Sequence, residues 1–333
     1  MDDDKRLKAY KIMLAHYMTQ KEERALYNGK QISKKMIEQN ISPEEVVGMH
    51  IDVLNRLVPN LDEPVQASLQ FLMDVMVGYG VAYREHQILR DRQKQLDSEI
   101  EIAADVQQSL LEGTVPDYPF ADVGAISEPA KKMTGDYFQF VRGHNDLLGV
   151  AVADIVGKGI PAAMSMSMIK YAMDSLPESS QTPPVVLSSL NRVVHRNVDP
   201  SMFVTMFYGV YDPGKEIFSF ASAGHEPGFY YMAETDRFED LETRGFALGF
   251  SPKAKYKEYK RKVAPGDMII LLTDGVTEVR TNKGFAGRKL TVNLIRKYML
   301  LPAQKLVENV FYDLQRIQNF EMHDDFTFIA MKF

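Results

Sequence analysis

Carboxylates stand at several points where this sequence passes from an apolar run to a turn, and that placement is its most chemical feature. The run 147–153 ends on Asp154, Gly157 and Gly159 follow, and Pro161 opens a Met- and Ala-rich helix. A second apolar run, 268–273, ends on Asp274-Gly275. Thr134-Gly135-Asp136 brings in a third carboxylate, and His323-Asp324-Asp325 precedes the terminal apolar run 326–333. A single Asp in such a place ordinarily caps the following turn, and it is poorly solvated unless something positive faces it. Its recurrence at separate strand ends, in a chain with no cysteine, points to a site for hard divalent cations.

The elements that must position these residues begin near residue 113. After a break at 113–119, strands are expected at 123–126, 137–141, 147–153, 203–211, 217–222, 229–232, 268–273 and 326–333. Helices are expected at 161–176 and 184–198, and two more between 290 and 319. Strands in runs, flanked by helix pairs, argue for an α+β architecture with two packed sheets and helices outside.

Residues 1–84 read as helical throughout. Leu7, Tyr10, Leu14, Tyr17 and Met18 recur at helical spacing, and Ser42-Pro43-Glu44-Glu45 forms a capping box at the start of another helix. No catalytic constellation occurs there, and a small bundle without chemistry binds a partner or dimerises. Its last helix continues as a linker over 85–112, followed by the strand-rich region 113–333. A heptad places Val75, Ala82, Leu89, Leu96, Ala103 and Leu110 at one core position and Leu72, Tyr79, His86, Gln93, Ile100 and Gln107 at the other. Two outcomes fit: a two-stranded coiled coil weakened by its polar core residues, or a long amphipathic helix packed on its own chain. In the coiled-coil reading Gln93, Leu96, Ile100, Ala103 and Gln107 form a regulatory linker, with the glutamine amides unpaired in the seam.

Composition narrows the function. The 333 residues are 45% hydrophobic and 25% charged, ordinary for a soluble globular chain, and a net charge of −6 without a basic tract gives no nucleic-acid surface. Absence of cysteine excludes disulfides, thiolate zinc and a cysteine nucleophile, and fits a reducing cytoplasm. Met1 is followed by Asp2, Asp3 and Asp4, unlike the basic start of a signal peptide, and no run reaches the roughly 20 apolar residues that span a bilayer.

Gly135-Asp136-Tyr137, Asp154 with Gly157-Lys158-Gly159, Ser222-Ala223-Gly224-His225, Thr273-Asp274-Gly275-Val276-Thr277-Glu278 and Asp324-Asp325 with Thr327 occur in that order. Together they resemble the PPM-type metal-dependent serine/threonine phosphatases, in their bacterial SpoIIE-like branch, over roughly residues 100–333. The segment 101–107 is similar to the one that precedes the phosphatase domain in that branch. The resemblance implies an αββα sandwich of two antiparallel sheets flanked by helices, preceded by an all-α bundle and a linker helix, and carrying two manganese or magnesium ions. By position, Asp154 would bridge both ions, the Ile155 carbonyl would complete one, Asp274 and Asp324 would hold the second, and Asp136 would act through water or a weaker metal. Asp325 would support the ligands. A hydroxide shared by the two ions would attack phosphorus, with no protein nucleophile. Lys158 is a candidate phosphate-binding group. His225 and His323 are candidate proton donors, though a loop-stabilising bond is favoured for His225 and a role orienting its neighbouring carboxylate for His323.

The resemblance further implies a phosphoserine substrate on a STAS-domain anti-anti-sigma protein of the general stress response, a kinase-like activator at the N-terminal region, and a homodimer in the cytoplasm. A nucleotide-binding P-loop at Gly157-Lys158-Gly159 fails, because Gly rather than Ser or Thr follows Lys158 and Val152 replaces the first glycine. The alternative is a catalytically inactive phosphoprotein-binding module of the same fold. The carboxylate set, retained here, separates it from an enzyme.

Overall fold

The computed structural model describes residues 3–333 except 22, 112–114, 144–145, 158, 178–181, 200, 282–283 and 286. Contacts divide the chain into two units, Met1–Glu99 and Ile100–Phe333.

The first unit consists of α1 (Asp3–Gln20), α2 (Glu23–Glu38), α3 (Pro43–Leu57) and most of α4 (Glu63–Leu111). Tyr10 on α1 meets His50 on α3 at 3.0 Å, and Glu44 on α3 pairs with Arg84 on α4. Ser42 is the N-cap of α3 and Pro43 its first residue, but no side-chain capping bond forms, so the expected capping box supplies only the boundary. Gly78 and Gly80 do not interrupt α4. A β-carbon on Gly80 would collide with the Glu44 carboxylate, so glycine lets that side chain lie against α4. As expected of a linker helix, α4 runs unbroken past residue 84, and its final turns, from Ile100, belong with the second unit.

That unit holds two five-stranded antiparallel sheets. One has the order β1 (Asp122–Glu128), β12 (Phe326–Lys332), β9 (Met268–Leu272), β6 (Phe229–Met232), β7 (Arg237–Asp240); the other runs β2 (Asp136–Arg142), β3 (Leu148–Ile155), β4 (Val204–Asp212), β5 (Ile217–Ala223), β8 (Tyr259–Lys262). Helices α5 (Ile160–Asp174) and α6 (Pro183–Asn197) cover the second sheet, burying Met166, Ile169, Leu187 and Leu190 against Ala151 and Ala153. After the short α7 (Asp274–Thr277) and the hairpin β10 (Arg280–Thr281) and β11 (Gly284–Phe285), α8 (Gly287–Tyr298) and α9 (Ala303–Ile317) follow. Ile295, Leu306, Val307 and Val310 from these two helices pack on the first sheet. Val150, Val152, Phe207 and Phe220 meet Val123, Ile269, Leu271 and Ile329 between the sheets. The expected αββα sandwich is the observed fold. The edge strands β7 and β8 were not expected from sequence, being four residues long and mostly polar, as edges tend to be.

Candidate metal centre

Strand periodicity decides where the carboxylates go. Side chains alternate across a strand, so Asp154 faces the same way as Val150 and Val152, into the space between the sheets. Asp136 shares the face of Phe138, Thr205 that of Phe207, Thr273 that of Leu271, and Thr327 that of Ile329. At this one end the oily layer between the sheets becomes a polar one.

Register then sets neighbours. Asp136 lies opposite Asp154, and Asp154 opposite Thr205. Thr273 donates its hydroxyl to the buried Asp136 carboxylate at 2.7 Å, joining one sheet to the other. A backbone bond from Thr273 N to Thr327 O, 3.1 Å, and a bond from Thr327 N to the Thr273 hydroxyl oxygen, 3.1 Å, fix the strand that follows Asp324-Asp325. Asp274 is the first residue of α7, immediately past β9. Asp154, Asp274, Glu226, Thr277 and Glu278 line an open cleft of about 450 Å³.

These acids raise one another's pKa. Burial, then the charges of Asp274 and Asp324, pushes the Asp154 carboxyl up to about 7. Asp136 is driven well up by burial and by Asp154, and Asp274 upward by burial and by Asp324. The charges acting on each are other carboxylates, so the site as folded calls for an external cation. Oxygen donors without thiolate or imidazole suit magnesium or manganese. Among the described residues no three such side chains are gathered closely enough to hold an ion unaided; water would complete the coordination, as these ions prefer. The residues present fit divalent metal. The Ile155 carbonyl is at the end of β3, 3.6 Å from where a β-carbon on Gly135 would stand.

Asp325 serves differently. One oxygen accepts from Ala130 N at 2.8 Å, and the other from Gly135 N at 2.5 Å and Thr134 Oγ1 at 3.2 Å. With both oxygens occupied by protein donors, Asp325 holds the loop that delivers Asp136. His225 is buried, with Nδ1 against the Thr205 hydroxyl at 2.9 Å and Nε2 donating to Leu272 O at 3.1 Å. Burial lowers its pKa to about 4, so it is a neutral strut between the sheets. His323 is exposed and has no hydrogen-bond partner among the described residues, so the expected orientation of its neighbour is not seen. Lys158 lies outside the described residues.

Gln107 departs from its sequence reading. It is buried in the second unit, its amide donating to Thr134 O at 2.7 Å and accepting from Thr134 N at 3.1 Å. Thr134 in turn accepts from Asp136 N at 3.0 Å and donates to Asp325. The amide is fully paired, not idle in a helical seam. Leu111, one turn on, enters the core under α5 and α6. Ile100 and Ala103 are half-buried, while Gln93 and Leu96 are exposed. Sequence reasoning also passed over Glu226, which accepts from Thr277 Oγ1 at 2.9 Å and from Arg288 at 3.2 Å beside Asp274; its only signal was its place next to His225.

Gly275 has no room for a side chain, since a β-carbon would fall 1.9 Å from Asp325 O. Gly275→Ala should therefore push α7 from the 324–325 segment and cost about 1–3 kcal/mol. A lower urea midpoint together with weaker manganese activation is the expected result, and an unchanged midpoint would contradict the close approach.

Residues 144–333 match the family model for Stage II sporulation protein E (SpoIIE), and residues 8–82 match the model for the N-terminal domain of phosphoserine phosphatase RsbU. The SiaA PP2C domain of Pseudomonas aeruginosa has a similar fold (TM-score 0.63, 18% identity, covering 73% of this chain and 98% of that one). So do the RsbU and RsbW domains of a Mycobacterium tuberculosis protein (TM-score 0.59, 27% identity, 67% and 62%). The chain belongs to the SpoIIE family of PP2C-type, metal-dependent protein phosphatases. Within it, the chain is 50% identical over 323 residues to phosphoserine phosphatase RsbU of Bacillus subtilis, covering 97% of this chain and 96% of that protein. It is thus an RsbU-like phosphoserine phosphatase, an enzyme rather than a binding module alone.

Proposed function

We propose that the protein removes phosphate from a phosphoserine on a STAS-domain anti-anti-sigma protein, so releasing a general stress sigma factor, and that a kinase-like partner on the N-terminal unit switches it on. The observation that carries this reading is the likeness to RsbU, 50% identity over 97% of this chain and so spanning both units. Two divalent ions, manganese in preference to magnesium, would acidify water and offset phosphoryl charge when bound. Asp154, Asp274 and Asp324 would hold them, with the Ile155 carbonyl and with Asp136 through water. Asp325, Thr134 and Thr273 keep those carboxylates in place, and the open cleft admits a phosphoserine side chain. The protein acts in the cytoplasm as a homodimer. In support of the dimer, the heptad residues Leu72, Val75, Tyr79, Leu89 and Leu96 are all exposed on α4, an apolar seam a second copy would cover.

The test is phosphate release from the phosphorylated STAS protein with manganese or magnesium, with and without the partner. No release under any of these conditions would overturn the reading. For the switch, Leu96→Pro should break the helix at a cost of about 3 kcal/mol. It is expected to abolish stimulation by the partner while basal release and the circular dichroism of both units persist. Undiminished stimulation would make α4 a tether.

A further inference from the structure

A rim loop that touches the cleft wall at Gly224 carries an exposed aromatic pair, and nothing in the chemistry above uses it. The loop after β7 contains Arg244, Phe246 and Phe250. The two phenylalanine rings stack face to face, centroids 5.5 Å apart and planes 8° apart, yet they are 60% and 67% exposed. Single exposed apolar residues need no explanation, but paired aromatic faces at a cleft mark a contact site.

The loop is fastened from three sides. Leu248 forms a two-way backbone bridge with Val204, at 2.8 and 3.2 Å. The buried Asn191 accepts from Gly249 N and donates to Ser251 O, both at 2.9 Å. Gly245 lies so close to Ser222 that a β-carbon would stand 2.1 Å from its carbonyl oxygen, and a β-carbon on Gly224 would stand 3.2 Å from Ala247 N. Gly224 and His225 themselves line the cleft. Phe246 thus sits one residue from the contact that joins this loop to the cleft wall. A loop already held in place loses little entropy when it is covered.

We infer that Arg244, Phe246 and Phe250 form a docking platform for the folded surface surrounding the substrate's phosphoserine. This rests on the phosphatase reading above. The occupant follows from continuity, because a protein that places a phosphoseryl side chain among Asp154, Asp274 and Glu278 must lie across the adjoining rim. Charge agrees with it. The cleft wall is acidic, whereas Arg244 is exposed with no ion pair among the described residues, and offers a cation to a phosphoprotein on its approach.

The experiment compares Phe246→Ala/Phe250→Ala with the full-length wild type on two substrates, the folded phosphorylated STAS protein and p-nitrophenyl phosphate, in manganese. The expected result is a KM for the phosphoprotein raised about tenfold or more, as for loss of aromatic anchors. Its kcat should be kept within about twofold, and hydrolysis of the small ester should not change. Arg244→Ala should flatten the salt dependence of kcat/KM for the phosphoprotein alone. Unchanged phosphoprotein kinetics in the double variant, or a parallel loss on both substrates, would overturn the platform while leaving the phosphatase reading intact. A wild type inactive on the phosphoprotein both with and without the activating partner would overturn both.

Discussion

Asp154→Asn should lower manganese-dependent phosphate release by about 100-fold to 1000-fold, the scale of losing a principal charge-stabilising group. The substitution keeps shape and removes the charge at the place where both sheets turn their carboxylates inward. Its effect on stability should have the opposite sign. Without metal, the Asp154 carboxyl is pushed from 3.8 up to about 7, first by burial and then by Asp274 and Asp324. A group whose folded value lies above its unfolded one stabilises the fold only while protonated. The benefit is whole below about pH 4 and is lost as pH rises through about 7. A gap of roughly three pKa units corresponds to about 4 kcal/mol. Metal-free wild type should therefore melt at falling temperature from pH 4 to pH 7, and manganese should restore it. Metal-free Asp154→Asn should melt higher than wild type at pH 8 and gain little from manganese. Turnover at the wild-type level would remove Asp154 from the metal site.

Gln107→Ala should lower turnover by about 10-fold to 100-fold, as residues that orient metal ligands commonly do. The amide makes both of its bonds to the Thr134 backbone, and Thr134 carries the loop to Asp136 and Asp325. Truncation leaves a buried donor and acceptor unpaired, about 1–3 kcal/mol each. Gln107→Ile should be no better, because it packs apolar bulk against the same two groups. A coiled-coil seam would give the reverse outcome, with Ile tightening the dimer and raising basal activity. Manganese activation curves of the two variants decide between them. Constitutive activity in Gln107→Ile would place this residue back in the seam.

The contrast at Gln107 marks how far the sequence could be read. Periodicity reports that one face of a helix is to be covered, and Gln107 fell in phase with Leu72 and Ile100. It does not report what covers that face, and here the cover for the last turns is a loop of the chain's own sheet domain. Asp154 and Asp274 were legible because each closes an apolar run, and the two-residue period alone aims them between the sheets. Asp325 was expected to support the ligands, and its contacts with Ala130 and Gly135 join positions nearly 200 residues apart, beyond the reach of local pattern. Glu226, Thr205 and Asn191 gave little sign, since their partners come from distant strands and loops. The edge strands β7 and β8 escaped because short polar segments resemble turns.

The hydroxyl of Thr273 reaches from one sheet to a carboxylate of the other, and Thr327 is bonded to Thr273 in both directions. Neither sheet can fray at this end without breaking its neighbour's bonds. In hydrogen exchange, the amides of Thr273 and Thr327 should therefore open with the whole domain, not with its surface loops. Metal and substrate would come and go over a floor that is among the slowest-opening parts of the molecule.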